Sequence, residues 1–476
     1  MDTAHFSDTS FLVSPLGLVA TVAMGILLLL VPRRYTFIPI VMLTCYMPMG
    51  QTLMVGSFHF TMLRILLLFG WARVILRSEL HPILWNRIDL AILAWILVKF
   101  STYLVLWQTG DALVYALGFV YNALGFYFLF RMLLRSPEDI VQVYKITAVL
   151  IVPLAVLMML EKLSGRNAFA VFGGVLPVTV VREGVLRCSG PFAHPILAGT
   201  FGATLLPFFV IVWQKGVARK LIASAGIASA LVITLTSGSS GPVLAAVGSI
   251  AALCMWPIRN HMKEIRWATG TLLVALQLVM KVPVWFLLAR VDVFSGSTGY
   301  HRAYLIDRAF ANLGDWWLIG TKSTAGWADI DQGLFDVTNQ YLVEGANGGL
   351  ITMLLFIGIL VCGFRYVGLS VRKASKNEEP FILLSIWALG AALFAHLVTY
   401  ISVSYFDQNI INWYLLLAMI ATAADKLVLA PALSEATATD HWTDMPRAAF
   451  ASLKPLTPHR VPWMQASERL HGKFPR

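Results

Sequence analysis

ARVDVFSGSTGYHRAYLIDRAFANLGDWWLIGTKSTAGWADIDQGLFDVTNQY, residues 289–341, is the longest polar interruption in an otherwise apolar chain. It holds Arg290, His301, Arg302, Arg308 and Lys322 beside Asp292, Asp307, Asp315, Asp329, Asp331 and Asp336, with Trp316, Trp317 and Trp327 among them. A segment this long between packed elements is usually either functional or unstructured, and its aromatic and glycine content favours an ordered, functional one. The chain on either side reads as the frame that holds it at one face of a bilayer.

Composition supplies that frame. The 476 residues are 58% hydrophobic and only 13% charged, with a mean hydropathy of +0.74. A soluble fold has too little interior to hide so much apolar side chain. Runs of roughly 17–25 apolar residues, the length a bilayer demands, place about thirteen spans. They fall near 11–31, 36–55, 59–77, 88–107, 112–134, 140–160, 192–213, 218–236, 241–257, 267–288, 340–367, 380–400 and 407–424. The expected fold is an all-α, polytopic membrane helix bundle with a large extracytoplasmic loop. Phe11–Val31 has no basic n-region before it and is long enough to span, so it reads as an anchor and not a cleaved signal.

The net charge of +11 would suggest nucleic acid in a soluble protein. Here 25 of the 36 Lys and Arg fall in alternate short loops and the tail, among them Arg33, Arg73, Arg131, Lys220, Arg266 and Arg372. That pattern marks the cytoplasmic side, so no nucleic-acid partner is expected, and the N-terminus is placed outside and the C-terminus inside. The Pro-rich stretch 425–476 reads as a disordered cytoplasmic tail. The four cysteines form no CxxC or metal-ligand spacing, and no Walker A, GxGxxG or HExxH motif occurs, so neither a metal nor a cofactor is expected.

Nine basic residues break the orienting rule. Lys162, Arg166, Arg182, Arg187, Lys281, Arg290, Arg302, Arg308 and Lys322 lie in or beside two exterior loops, 161–191 and 289–339. A phosphate-bearing ligand is one reason to place positive charge there; pairing with local carboxylates is the plainer one.

Four motifs cluster on that side: LRCSGPFAHPILAG at 186–199, TSGSSGP at 236–242, GYHRAYLID at 299–307, and DVTNQYL at 336–342 with Gly345, Gly348 and Gly349 following. In this order and sidedness, residues 36–424 resemble the O-antigen ligase and O-antigen polymerase-like membrane family, and residues 1–35 form an extra span ahead of it. The resemblance implies transfer or polymerisation of a glycan from an undecaprenyl-diphosphate carrier to a glycan or lipid acceptor at the outer face of the bacterial cytoplasmic membrane. Arg187 and Arg302 then face the carrier diphosphate, because a guanidinium fork binds phosphate oxygens in two places and stays charged.

Two departures matter. Ser240 stands where the family often has arginine, and Thr338-Asn339 stands where it has His-Asn. A divergent polymerase, or a ligase for another polysaccharide, therefore fits better than a lipid A-core ligase. A base must replace the missing histidine, and Asp336 or His301 is the expected one. Asn339 binds sugar hydroxyls or caps the next helix. His194 reads as a cap or packing residue at the start of its span. The tryptophans stack on sugars or, for at least two of them, anchor the interface. Arg64, one turn inside its span, reaches the same diphosphate or snorkels, and Lys99 needs an intramembrane partner. The rival function is a non-catalytic component or a transporter in a polysaccharide assembly pathway.

Overall fold

In the computed structural model the described residues are 13–213, 216–290, 298–327, 337–374 and 380–430. Asp336 and the tail beyond Ala430 lie outside them. The described residues belong to one compact unit that ends at Ala430.

The first three helices are short: α1 (Pro15–Leu30), α2 (Phe37–Tyr46) and α3 (Met62–Leu76). The single span expected over 36–55 is not formed. An antiparallel hairpin, β1 (Thr52–Val55) with β2 (Phe58–Thr61), takes its second half. Gly56, at φ 61°, supplies the left-handed backbone that a two-residue turn needs, which apolarity alone does not reveal.

Longer helices come next: α4 (Arg87–Trp107), α5 (Gly110–Leu133), α6 (Pro137–Ser164), α7 (Pro195–Val212) and α8 (Val217–Thr236). Between α6 and α7 lies a second hairpin, β3 (Val180–Arg182) and β4 (Val185–Arg187). Then come α9 (Ser240–Cys254), α10 (Met262–Val279), α11 (Thr298–Ala311) and the one-turn α12 (Leu313–Trp316). Three long elements close the unit: α13 (Gln340–Ala374), α14 (Pro380–Thr399) and α15 (Gln408–Ala424), which runs on into a π-turn over Asp425–Leu429. Among the described residues eight helices are long and apolar enough to cross a membrane, or nine if α9 and the segment 256–279, bent by 77° from it, make one span.

α7 and α15 form the centre and are almost wholly buried. Small residues let the neighbours of α7 approach: a Cβ on Gly202 would lie 2.7 Å from the Ala230 carbonyl oxygen. Several charged groups inside the bundle are paired. Lys99 and Glu344 bond at 2.8 Å, and Glu344 also accepts from the Trp95 indole and Gln340. At one end, Arg131 bridges Asp89 and Asp425, Arg73 holds Glu79 and Arg33 holds Asp139.

α13 is broken. Gly349 has φ 80° and ψ 174° inside it, and the segment after α12 fills the gap. The Leu350 N–H donates to the Trp317 carbonyl at 2.8 Å, and the Thr321 N–H donates to the Ala346 carbonyl at 2.7 Å. Trp316 and Trp327 are buried in a small core beneath this segment, with the Trp316 indole donating to the Ala309 carbonyl. They are therefore interior residues and not interfacial anchors; only Trp317 of the three is open, at 52%.

Candidate functional site

The end of the bundle opposite the Asp89–Arg131–Asp425 cluster gathers the four motifs. The turn between α8 and α9, Ser237 to Pro242, is its centre. Arg187 Nη2 donates to Ser239 Oγ, and Arg302 Nη2 donates to Ser240 Oγ at 3.3 Å. Two arginines that the sequence singled out thus meet adjacent hydroxyls of one turn. The turn's glycines make the room. A Cβ on Gly238, which has φ 57°, would stand 3.1 Å from Arg187 Cγ. A Cβ on Gly241 would stand 2.6 Å from Ser402 Oγ and 3.4 Å from Arg302 Nη2.

Arg187 is held in place from three sides. Its hairpin turns at Glu183 and Gly184, both left-handed at φ 53° and 76°, the geometry of a tight two-residue hairpin. The Cys188 N–H donates to the Thr236 carbonyl at 3.1 Å, docking the strand on α8. The last turn of α6 grips the residues on either side of Cys188. Buried Glu161 accepts from the Ser189 N–H at 3.0 Å and the Gly190 N–H at 2.9 Å, and Lys162 donates to the Leu186 carbonyl. Glu161 was not among the expected site residues; its only mark in the sequence is a carboxylate at the end of an apolar run. Burial, then Arg182, lower the pKa of Arg187, against a smaller opposing pull from Glu183, and its Nε is buried without a partner among the described residues. A guanidinium still stays charged, so this side chain gains from an incoming anion. The N-terminus of α9 begins at Ser240 beside the arginines, and its backbone N–H groups and dipole favour negative charge at the same place.

Asn339 is a helix cap. Its Oδ1 accepts from the Leu342 N–H at 3.2 Å, and its Nδ2 donates to the Ile401 carbonyl at 3.3 Å. It ties the start of α13 to the segment 401–407, as does Gln340, which accepts from the Tyr405 N–H at 2.6 Å. His301 sits on α11 beside Arg302 and is half-buried. His194 caps α7, accepting from the Ile196 N–H at 3.2 Å; the surrounding protein and then Arg187 and Arg182 hold it down at about 4. Arg64 is occupied elsewhere: Nε donates to Asn122 at 2.9 Å and Nη1 to the His59 carbonyl, with no polar contact to the serine turn.

One acidic residue went unnoticed in the sequence. Asp407 ends the segment that carries Ile401 and Ser402, and its neighbour Gln408 donates to the Pro191 and Met47 carbonyls, both at 3.2 Å. Its backbone, at φ 55° and ψ −131°, lies where only glycine is comfortable. Protein surrounds it on nearly every side while part of its surface stays open. Its side chain has no hydrogen bond or ion pair among the described residues, and burial pushes its carboxyl up to about 6.

The arrangement is an anion cradle with a half-buried carboxylate on an adjoining segment. A scan against protein-family models gave no match, and comparison with curated proteins likewise gave none.

Proposed function

We propose that the chain is an integral membrane glycosyltransferase of the O-antigen ligase or polymerase type. It moves a glycan from an isoprenoid-diphosphate carrier to a glycan or lipid acceptor, at the extracytoplasmic face of the bacterial cytoplasmic membrane. The observation that carries this reading is the convergence of Arg187 and Arg302 on Ser239 and Ser240. In this reading the arginines, with the α9 N-terminus, bind the diphosphate and stabilise its leaving charge. Asp407 accepts the proton of the attacking hydroxyl, since a carboxyl held near 6 is largely ionised at neutral pH and still basic enough to take a proton. Asp336 and His301 are the other proton acceptors this reading allows. The basic loops turn to the cytoplasm, and thirteen helical segments, some too short to cross alone, make up the membrane body.

The test is glycan output in cells producing Arg187→Ala or Arg302→Ala, with membrane levels of the protein measured alongside. The expected result is loss of polymer or ligated product at unchanged protein level. Undiminished product in both variants overturns the diphosphate role and favours a non-catalytic or transport component.

A further inference from the structure

A groove of about 780 Å³ runs along the outer wall between α3, α4 and α5. Trp71, Leu93, Val120, Leu124 and Phe128 line it, and His81 with Trp85 closes one end. This is the end of the bundle that carries the Arg73–Glu79 and Arg131–Asp89 pairs, away from the serine turn. The walls are apolar and face outward, which suits a hydrocarbon chain.

The closed end differs in character. His81 Nδ1 is buried without a hydrogen-bond partner among the described residues, and the group that faces the ring as an acceptor is the Glu79 backbone carbonyl. The neighbouring Glu79 carbonyl is already taken by Arg135 Nη2 at 2.6 Å. Arg33 and Arg131, also near His81, are paired with carboxylates. Arg135 has no carboxylate partner for its side chain among the described residues, and its Nε is buried without an acceptor. Burial, then Arg135, Arg131 and Arg33, hold His81 below the usual histidine range; the Glu79 carbonyl opposes them, and no carboxylate does. Arg135 is thus the guanidinium beside His81 that no carboxylate pairs among the described residues, Asp139 reaching only its backbone N–H at 2.9 Å.

We propose that this groove is a binding site for an anionic phospholipid, with an acyl chain along Trp71, Leu124 and Phe128 and the phosphate at His81 and Arg135. A zwitterionic headgroup fits less well, because its cationic part meets the same arginines. The site is independent of the proposed transfer reaction.

The test uses full-length protein purified in detergent and stripped of lipid. Its thermal midpoint is measured with phosphatidylglycerol or phosphatidylcholine of identical chains, for the parent, Arg135→Gln and Leu124→Trp. The parent midpoint is expected to rise by several degrees more with phosphatidylglycerol. Arg135→Gln is expected to lose that excess and keep the response to phosphatidylcholine, and Leu124→Trp, which fills the groove, to lose both. An equal response of the parent to the two lipids, or an undiminished excess in Arg135→Gln, overturns the proposal. Should Leu124→Trp not fold, native mass spectrometry of parent and Arg135→Gln decides. Retention of phosphatidylglycerol by the parent and its depletion in the variant supports the site, and equal retention refutes it.

Discussion

Lys99 Nζ lies 2.8 Å from both carboxylate oxygens of Glu344, inside the apolar body. An isolated charge there is costly, so each partner exists for the other. Lys99→Met is expected to lower stability by about 3–5 kcal/mol, the usual result of stranding a buried charge. Lys99→Met with Glu344→Gln is expected to recover most of the loss, since glutamine still accepts from the Trp95 indole. Thermal unfolding in detergent, read as a double-mutant cycle, checks this; additive losses would rule out the coupling.

Gly349→Ala strikes the break in α13. The residue has φ 80°, and the added Cβ would collide with the Leu318 carbonyl oxygen. Strain alone costs on the order of 1–3 kcal/mol, so a clear fall in the thermal midpoint is expected. Gly358→Ala is the control. That Cβ meets nothing within 4 Å, and replacing a mid-helix glycine gains roughly 0.5–1 kcal/mol.

Asp407→Asn should separate activity from stability. In the proposed reaction the carboxylate must be ionised, so product formation by the parent falls as pH drops through about 6, and the variant forms little product at any pH. The folded-state pKa is raised above the unfolded value, so this group favours the fold at low pH and disfavours it as pH rises through about 6. The variant is therefore expected to have a higher thermal midpoint than the parent at neutral pH. A variant that is inactive and also less stable would point to a structural role.

Trp316 and Trp317 adjoin in sequence and differ in fate. Trp316 is 1% exposed and Trp317 52%. Trp316→Ala is expected to cost about 3–5 kcal/mol, as large-to-small changes in a core do, and Trp317→Ala to stay within about 0.5 kcal/mol, as open surface sites do. Circular dichroism melts of the two variants compare them directly.

Much of the helical plan was readable from apolar run length, and α4 through α8 fall where expected because each is one long, mostly apolar run between turn residues. The hairpin over 52–61 was not, since its residues are as apolar as a helix and only Gly56 marks the turn. Arg187 and Arg302 stood out because they oppose the charge rule, and the structure brings both to one turn. Asn339 was ambiguous in sequence, and both of its amide atoms are taken by backbone groups. Asp407 and Glu161 escaped notice because an isolated acid near a span end looks like any cap. What distinguishes them, a strained backbone in one case and two captured N–H groups in the other, exists only after folding.

The break at Gly349 makes the helix depend on an earlier stretch of chain. The strip Trp317–Thr321 that satisfies its bare backbone groups leaves the ribosome before residue 350 does. The Trp316 core beneath it is completed by Leu342, Ala346 and Met353 of the broken helix itself, so strip and helix close on each other. The polar segment 298–327 thus supplies, from outside the helix, the backbone partners that a break inside an apolar body would otherwise lack, quite apart from any chemistry at the serine turn.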